Sequence, residues 1–242
     1  MVLKDHSHSP EAIAERLSAG PRAHYLREWV YGGIDGVVTT FAIIAAVIGA
    51  DLSPLIVIIL GLANLVGDGF SMAAGAFSST KADVDNYIRL RKMEASHIKK
   101  HPEGEREETR QIFASKGFEG EELEQMIDMI SKDHDIWIEF MLAEEYGLSK
   151  PIYTPFKAGL NTFLAFILCG SAPLIPYLLN LPSTPWWALG FSALTFFLIG
   201  SIKSLWSVHL WWREGFETLI IGLTAAGLAY GIGYVLQGWI PS

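Results

Sequence analysis

No charged side chain occurs from Ala158 to Ile202, and none from Thr218 to the last residue. A helix needs roughly 20 apolar residues to cross the hydrocarbon core of a bilayer, so charge-free runs of this length point to membrane spans. The overall composition conceals this, because 50% hydrophobic and 18% charged residues would also suit a soluble globule of 242 residues. What separates the two cases is where the charges lie. Positions 81 to 150 hold 17 acidic and 11 basic side chains, a net charge of −6, while the other 172 positions share nine acids and seven bases.

Asp51 is the only charge between Asp35 and Asp68, and with Leu52, Ser53 and Pro54 it reads as a short turn joining two spans. Pro173, Pro176, Pro182 and Pro185 divide the longest charge-free run into a second pair, and the run after Thr218 makes a fifth span. Predicted spans occupy residues 28–50, 54–80, 156–179, 185–206 and 216–237. The chain then divides into a cytoplasmic lead-in over 1–27, spans one and two over 28–80, an acidic helical domain over 81–150 and spans three to five over 151–242. The fold class is all-α, a polytopic membrane protein of five transmembrane helices with a three-helix cytoplasmic metal-binding insertion between spans two and three.

Orientation follows from the cations, since Lys and Arg are retained on the cytoplasmic side. Lys4, Arg16, Arg22 and Arg27 precede span one, and ten cations from Lys81 to Lys132 follow span two. Lys150 and Lys157 flank span three, and Lys203 and Arg213 surround the connection of spans four and five. The opposite loops, near Asp51 and from Asn180 to Pro185, and the tail from Gly238 to Ser242 have none. The N terminus and the acidic domain are therefore expected in the cytoplasm and the C terminus outside. The stretch from Pro10 to Trp29 suits either an amphipathic helix on the inner surface or a short solvated lead-in. The polar start, MVLKDHSHSPEAIAERL, is unlike a cleavable signal peptide. The single cysteine, Cys169, excludes an internal disulfide framework and a multi-thiolate zinc site. No basic cluster suggests a nucleic-acid partner.

Ionisable groups inside a spanning helix cost a few kcal/mol and face protein or a water path. Asp35 and Asp68 both fall about 10 Å from the inner face at a rise of 1.5 Å per residue, so the two carboxylates can meet at one depth. Asn64, Asp68 and Met72 are four apart on one stripe of span two, offering oxygen and soft sulfur donors to a transition metal. The small residues around them, Gly61, Gly67, Gly69, Ala73, Ala74 and Gly75, are better explained by close helix packing, and Met72 is equally suited to filling a gap. Lys203 and Glu217, near inner helix ends, are read as snorkelling side chains.

In the acidic domain, span two continues without a breaker to Lys100, His101-Pro102 ends it, Gly104 to Lys116 makes a second helix, and a third runs from beyond Gly120 to Gly147. Leu123, Met126, Ile127, Ile130, Trp137, Phe140 and Met141 supply that third helix with one apolar face. Glu94 with His97, Glu105 with Glu108, and Met141 with Glu145 are pairs at helical spacing, each projecting from one face. Three such faces converging, with Glu144 beside Glu145, would form an oxygen-rich cage containing an imidazole, and a divalent cation would relieve the repulsion among its acids. Glu is abundant on any solvated helix, and Glu103, Glu107, Glu119, Glu121, Glu122 and Glu124 are read as such.

The motifs YGGIDGVVTTFAIIAAVIGA, LGLANLVGDGFSMAAGAFSS, KGFEGEELEQMI with WIEFMLAEEYGL, and REGFETLIIGLTAAGLAYGIG resemble the vacuolar iron transporter family from about Arg27 to Gly233. The resemblance implies a five-helix dimeric transporter that moves Fe²⁺, in some members Mn²⁺, out of the cytoplasm in exchange for protons. It implies that Asp35 and Met72 line the translocation path near the dimer axis. It also implies that Glu94, Glu105, Glu108 and Glu145 bind metal, with Met141 beside them. Two departures stand out. Asn64 replaces a glutamate of eukaryotic members, with Asp68 four residues along to take over that charge, and His97 replaces a further glutamate of the cytoplasmic site. An imidazole suits iron or zinc better than calcium or magnesium.

The expected activity is metal/proton antiport rather than an enzyme reaction. The partners are divalent metal ions, protons, the bilayer and a second copy of the chain. No prosthetic group is expected; Fe²⁺ or Mn²⁺ is substrate, and Zn²⁺ or Co²⁺ also suits the cytoplasmic donors. The location is the plasma membrane in a prokaryote or a vacuolar-type membrane in a eukaryote. Two rivals remain: a membrane-tethered ferroxidase, which needs two Glu-x-x-His motifs where each chain has one, and a metal-responsive scaffold that binds ions without flux.

Overall fold

The structure is a computed structural model that describes residues 7–21 and 23–238; Lys4, Arg22 and the tail beyond Gly238, used in the orientation argument, lie outside the described residues. Among the described residues there are helices and no strands. Five of them are long and apolar enough to cross a membrane: Leu26–Gly49, Pro54–Lys100, Pro155–Leu178, Thr184–Trp206 and Trp211–Gln237.

The helices in chain order are α1 (Pro10–Ala19), α2 (Leu26–Gly49), α3 (Pro54–Lys100), α4 (Pro102–Ser115), α5 (Gly120–Ser131), α6 (His134–Glu144), α7 (Pro155–Ser171), α8 (Ile175–Leu178), α9 (Thr184–Lys203) and α10 (Trp211–Gln237). Their ends follow local chemistry. Gly20 stops α1 at a φ of 63°, and Asp51, in the left-handed region at 54°, turns the chain before Pro54 opens α3. Pro102 stands in the first turn of α4, where its missing N–H costs nothing. Short 3₁₀ turns at Ala172–Leu174 and Ser204–Trp206 extend α7 and α9, the former at the first of the predicted prolines.

The chain forms two compact units, one of residues 79–154 and one from the residues on either side of them. In the membrane unit, α2 is the central helix. Its Val37, Phe41, Ile44 and Ala45 are buried with Phe166 of α7, Phe196 of α9 and Ala226 of α10. Glycines set the spacing. A Cβ on Gly36 would lie 2.4 Å from the carbonyl oxygen of Phe166, and one on Gly200 of α9 would lie 2.4 Å from that of Glu214. Backbones in such contact leave no room for a side chain, the usual arrangement where helices associate in lipid. Large apolar side chains such as Phe70, Phe156, Trp186 and Ile220 point away from this core, as hydrocarbon contact requires.

The second unit contains the end of α3 with α4, α5 and α6. At 1.5 Å per residue, the 47 residues of α3 span about 70 Å, more than twice the thickness of a bilayer core. The single third helix expected up to Gly147 is instead two, broken at Lys132 and Asp133. The Asp133 carboxylate accepts hydrogen bonds from the backbone N–H of Asp135 (2.9 Å) and Ile136 (3.1 Å), capping a new helix. The predicted apolar face is correspondingly split between Ile127 of α5 and Trp137, Ile138, Met141 and Leu142 of α6. The fifth span also begins earlier than expected, at Trp211, with Glu214 inside it.

Gly200→Val should lower the thermal midpoint of the purified, detergent-solubilised protein, at an overpacking cost of about 1–3 kcal/mol. Gly67→Ala, where a Cβ meets nothing within 4 Å, should leave it unchanged.

Candidate metal centre and transport acids

Along the end of α3, the buried positions are Tyr87, Leu90, Glu94 and Ile98. The spacing of three and four is that of an ordinary apolar stripe, and Glu94 occupies a core place in it. In α4 the buried positions are Glu105, Thr109 and Phe113, again one stripe, again begun by a carboxylate. Tyr87, Leu90 and Ile98 pack with Trp137, Ile138, Met141 and Leu142 of α6, so Glu94 is set into an apolar cluster.

The two carboxylates meet across His97. Its Nδ1 lies 3.4 Å from Glu105 Oε1 and 3.8 Å from Glu94 Oε1. One ligand atom from each of the three residues falls within 4.8 Å of the others, close enough to share one ion. Glu94 is fully buried and Glu105 is 4% exposed, yet Glu94 Oε2 and Glu105 Oε2 have no hydrogen-bond partner. A buried carboxylate oxygen without a partner is costly, and a cation between the two would satisfy both.

Electrostatics agree with the geometry. Burial, followed by the charges of Glu94, Glu108 and Glu145, pushes the Glu105 carboxyl up to about 7. Burial also pushes Glu94 upward, against the hydrogen bond that Tyr146 Oη donates to its Oε1 at 3.1 Å. Glu108 and Glu145 are exposed and stand near enough to add negative charge. Met141 is fully buried with its sulfur 3.6 Å from the Thr109 hydroxyl, which donates to the Glu105 carbonyl at 2.7 Å and accepts from Trp137 Nε1 at 2.8 Å. Glu144 is not brought to the cluster. It is exposed and pairs with Lys116 at 2.6 Å. Tyr146 was not foreseen, although its place next to Glu145 was a visible signal.

The membrane unit holds the other predicted residues. Asp35 is half-buried on α2, and the charge of Asp68 on α3 reaches it. Asp68 itself is exposed on α3, beside the unfilled space at Gly67. Asn64 is turned toward α2: its Nδ2 donates to Thr39 Oγ1 at 3.1 Å, and that hydroxyl donates to the Asp35 carbonyl at 2.9 Å. Met72 packs against the apolar core. Lys203, expected to snorkel, is instead in an ion pair with the buried Glu214 at 2.9 Å. Sequence reasoning passed over Glu214 because it lay outside the predicted span.

Apolar helices long enough to span, acids within three of them and a helical unit with a carboxylate–imidazole cluster define the class of polytopic membrane transporters. The chain matches the VIT family model over residues 26–234 and belongs to that family, whose members are transporters, not enzymes. It is 31% identical over 218 residues to vacuolar iron transporter 1 of Arabidopsis thaliana, covering 88% of this chain and 86% of that one. It is 31% identical over 234 residues to the vacuolar iron transporter of Toxoplasma gondii (88% and 74%) and 27% identical over 235 residues to vacuolar iron transporter 1 of Oryza sativa (96% and 91%).

Because Glu105 binds its proton more tightly folded than unfolded, the metal-free protein should lose stability as pH rises from about 4.5 to about 7. Thermal melts across that range should show the slope, and Glu105→Gln should reduce it. Tyr146→Phe should weaken Mn²⁺ binding about tenfold by calorimetry, the usual effect of removing a hydrogen bond to a ligand.

Proposed function

We propose that this chain exports a divalent transition metal, Fe²⁺ with Mn²⁺ as a second substrate, from the cytoplasm in exchange for protons. The observation that carries the reading is the Glu94–His97–Glu105 cluster, whose buried carboxylates hold two oxygens with no partner. Carboxylate with imidazole is a donor set for iron, manganese, cobalt and zinc rather than calcium or magnesium. Glu108, Glu145 and Met141 surround this site and complete the collection of the ion.

Asp35 and Asp68, with Asn64 and Met72 on the same helix stripe, form the path through the bilayer. Two carboxylates close together favour a divalent ion or protons between them, which is the exchange antiport requires. Alternating access needs a moving element, and α3 is the one that carries the path residues. A second copy of the chain covers the Asp68 face of α3, since an exposed carboxylate in hydrocarbon is costly and the small residues there permit close approach. The iron named in the relatives, the placement of the cations and the donor chemistry support this direction and substrate. A ferroxidase would need a second Glu-x-x-His motif, and a non-transporting scaffold leaves the intramembrane acids without a role.

Proteoliposomes with an imposed pH gradient provide the test. Wild-type protein should accumulate Fe²⁺ and Mn²⁺ against their gradients, and Asp35→Ala and Asp68→Ala should each abolish accumulation. Wild-type rates in both variants would refute the path.

A further inference from the structure

Glu28 stands in the first turn of α2 and has no part in the path formed by Asp35 and Asp68. It is half-buried, and its Oε2 is enclosed without a hydrogen-bond partner among the described residues. Arg27 does not answer it, because neighbours in sequence do not share a helix face. Arg27 instead lines a cavity with Lys203 and Trp206. An acid in a first turn complements the helix dipole, but a carboxylate facing solvent does so equally well, and the dipole gives no reason to enclose an oxygen.

Helical register shows where the carboxylate stands. Asp35 and Thr39 follow Glu28 by seven and eleven residues. At about 100° per residue, the three fall within about 40° of one another around α2. Glu28 therefore shares the stripe that carries Asp35, about 10 Å nearer the helix start. On the expectation from the cations, this is the cytoplasmic end of α2. The helix opposite runs the other way. A short turn at Asp51 joins α2 to α3, so the two are antiparallel, and the bond from Asn64 to Thr39 fixes which residues face each other. Eleven residues back from Thr39 is Glu28, and eleven on from Asn64 is Gly75, on the stripe of α3 that carries Asn64 and Asp68. A Cβ on Gly75 would meet nothing within 4 Å. Helices bonded at Thr39 thus leave space at the level of Glu28. Neither stripe carries a Lys or Arg over these residues, so the charges along this space are acidic and favour a cation.

We infer that Glu28 is a further ligand at the entry of the transport path, which receives the divalent transition metal and passes it on to Asp35 and Asp68. This rests on the transport reading of the membrane acids. Two turns before Asp35, Glu28 forms an earlier station, and a cation held there gives its enclosed oxygen a partner.

Mn²⁺ flux into proteoliposomes under a pH gradient, together with thermal melts, tests this. Glu28→Gln keeps the shape of the side chain and removes its charge. It should raise KM for Mn²⁺ at least about tenfold, the effect of losing one charged contact to the ion, and Glu28→Asp should recover most of the loss. Glu11→Gln, at an exposed acid of α1, should leave KM unchanged. In metal-free protein, Glu28→Gln should hold or raise the thermal midpoint, because a neutral amide replaces an enclosed carboxylate, whereas loss of an acid with a purely structural role would lower it. A second readout needs no flux. In a Glu94→Gln, Glu105→Gln background, which disables the cytoplasmic cluster, Mn²⁺ should still raise the midpoint, and adding Glu28→Gln should lessen that rise. An unchanged KM, a lowered midpoint in metal-free Glu28→Gln, or a Mn²⁺-induced rise that is absent or indifferent to Glu28 would each overturn the inference. A wild-type protein that moves no metal while its stabilisation by Mn²⁺ still depends on Glu28 would count against the transport reading alone.

Discussion

Charge removed from water must be answered by another charge or by a hydrogen bond, and the architecture of this protein is organised around that demand. It is met in different ways in the two units. Glu214 is answered from within the chain by Lys203 and Ser207. Glu94 and Glu105 are answered only in part, by Tyr146 and by His97, and each keeps a buried oxygen without a partner. The first arrangement has its counter-charge within the chain, and the second has only the imidazole of His97 beside its two acids. A site that binds and then surrenders its cargo should be of the second kind, because a fully satisfied cage has no reason to prefer the loaded state.

The surrounding helices keep these groups in place by ordinary means. Glu94 and Glu105 stand at positions in apolar stripes where leucine would pack well, so the fold of the helical unit presents them to each other as a by-product of burying Trp137, Ile138 and Leu142. Aromatic and hydroxyl groups then orient the donors, with Trp137, Thr109 and Met141 forming one chain of contacts and Tyr146 fixing one oxygen of Glu94. In the membrane unit, close backbone approach at Gly36 sets α2 against α7, and at Gly200 it sets α9 against α10.

Much of this was legible in the sequence, for physical reasons that differ by region. Charge-free runs and prolines revealed the five spans because hydrocarbon tolerates little else. The pairs Glu94 with His97 and Met141 with Glu145 were visible because helical spacing is regular. The break at Lys132 and Asp133 was not visible, since an apolar face continued across it and only a capping aspartate interrupts the helix. The pairing of Glu144 with Lys116 and of Lys203 with Glu214 could not be read either. Both depend on which elements lie side by side, and local periodicity carries no such information.

Asn64 of α3 donates a hydrogen bond to the Thr39 hydroxyl of α2. Thr39 hands its own proton back to the Asp35 carbonyl, so the amide on α3 is latched to the turn of α2 that bears the acid. Any sliding of one helix along the other must first release this latch, which as a bond between uncharged groups holds with about 1 kcal/mol. It therefore works as a soft detent, firm enough to define a resting register and weak enough to be lifted by thermal motion.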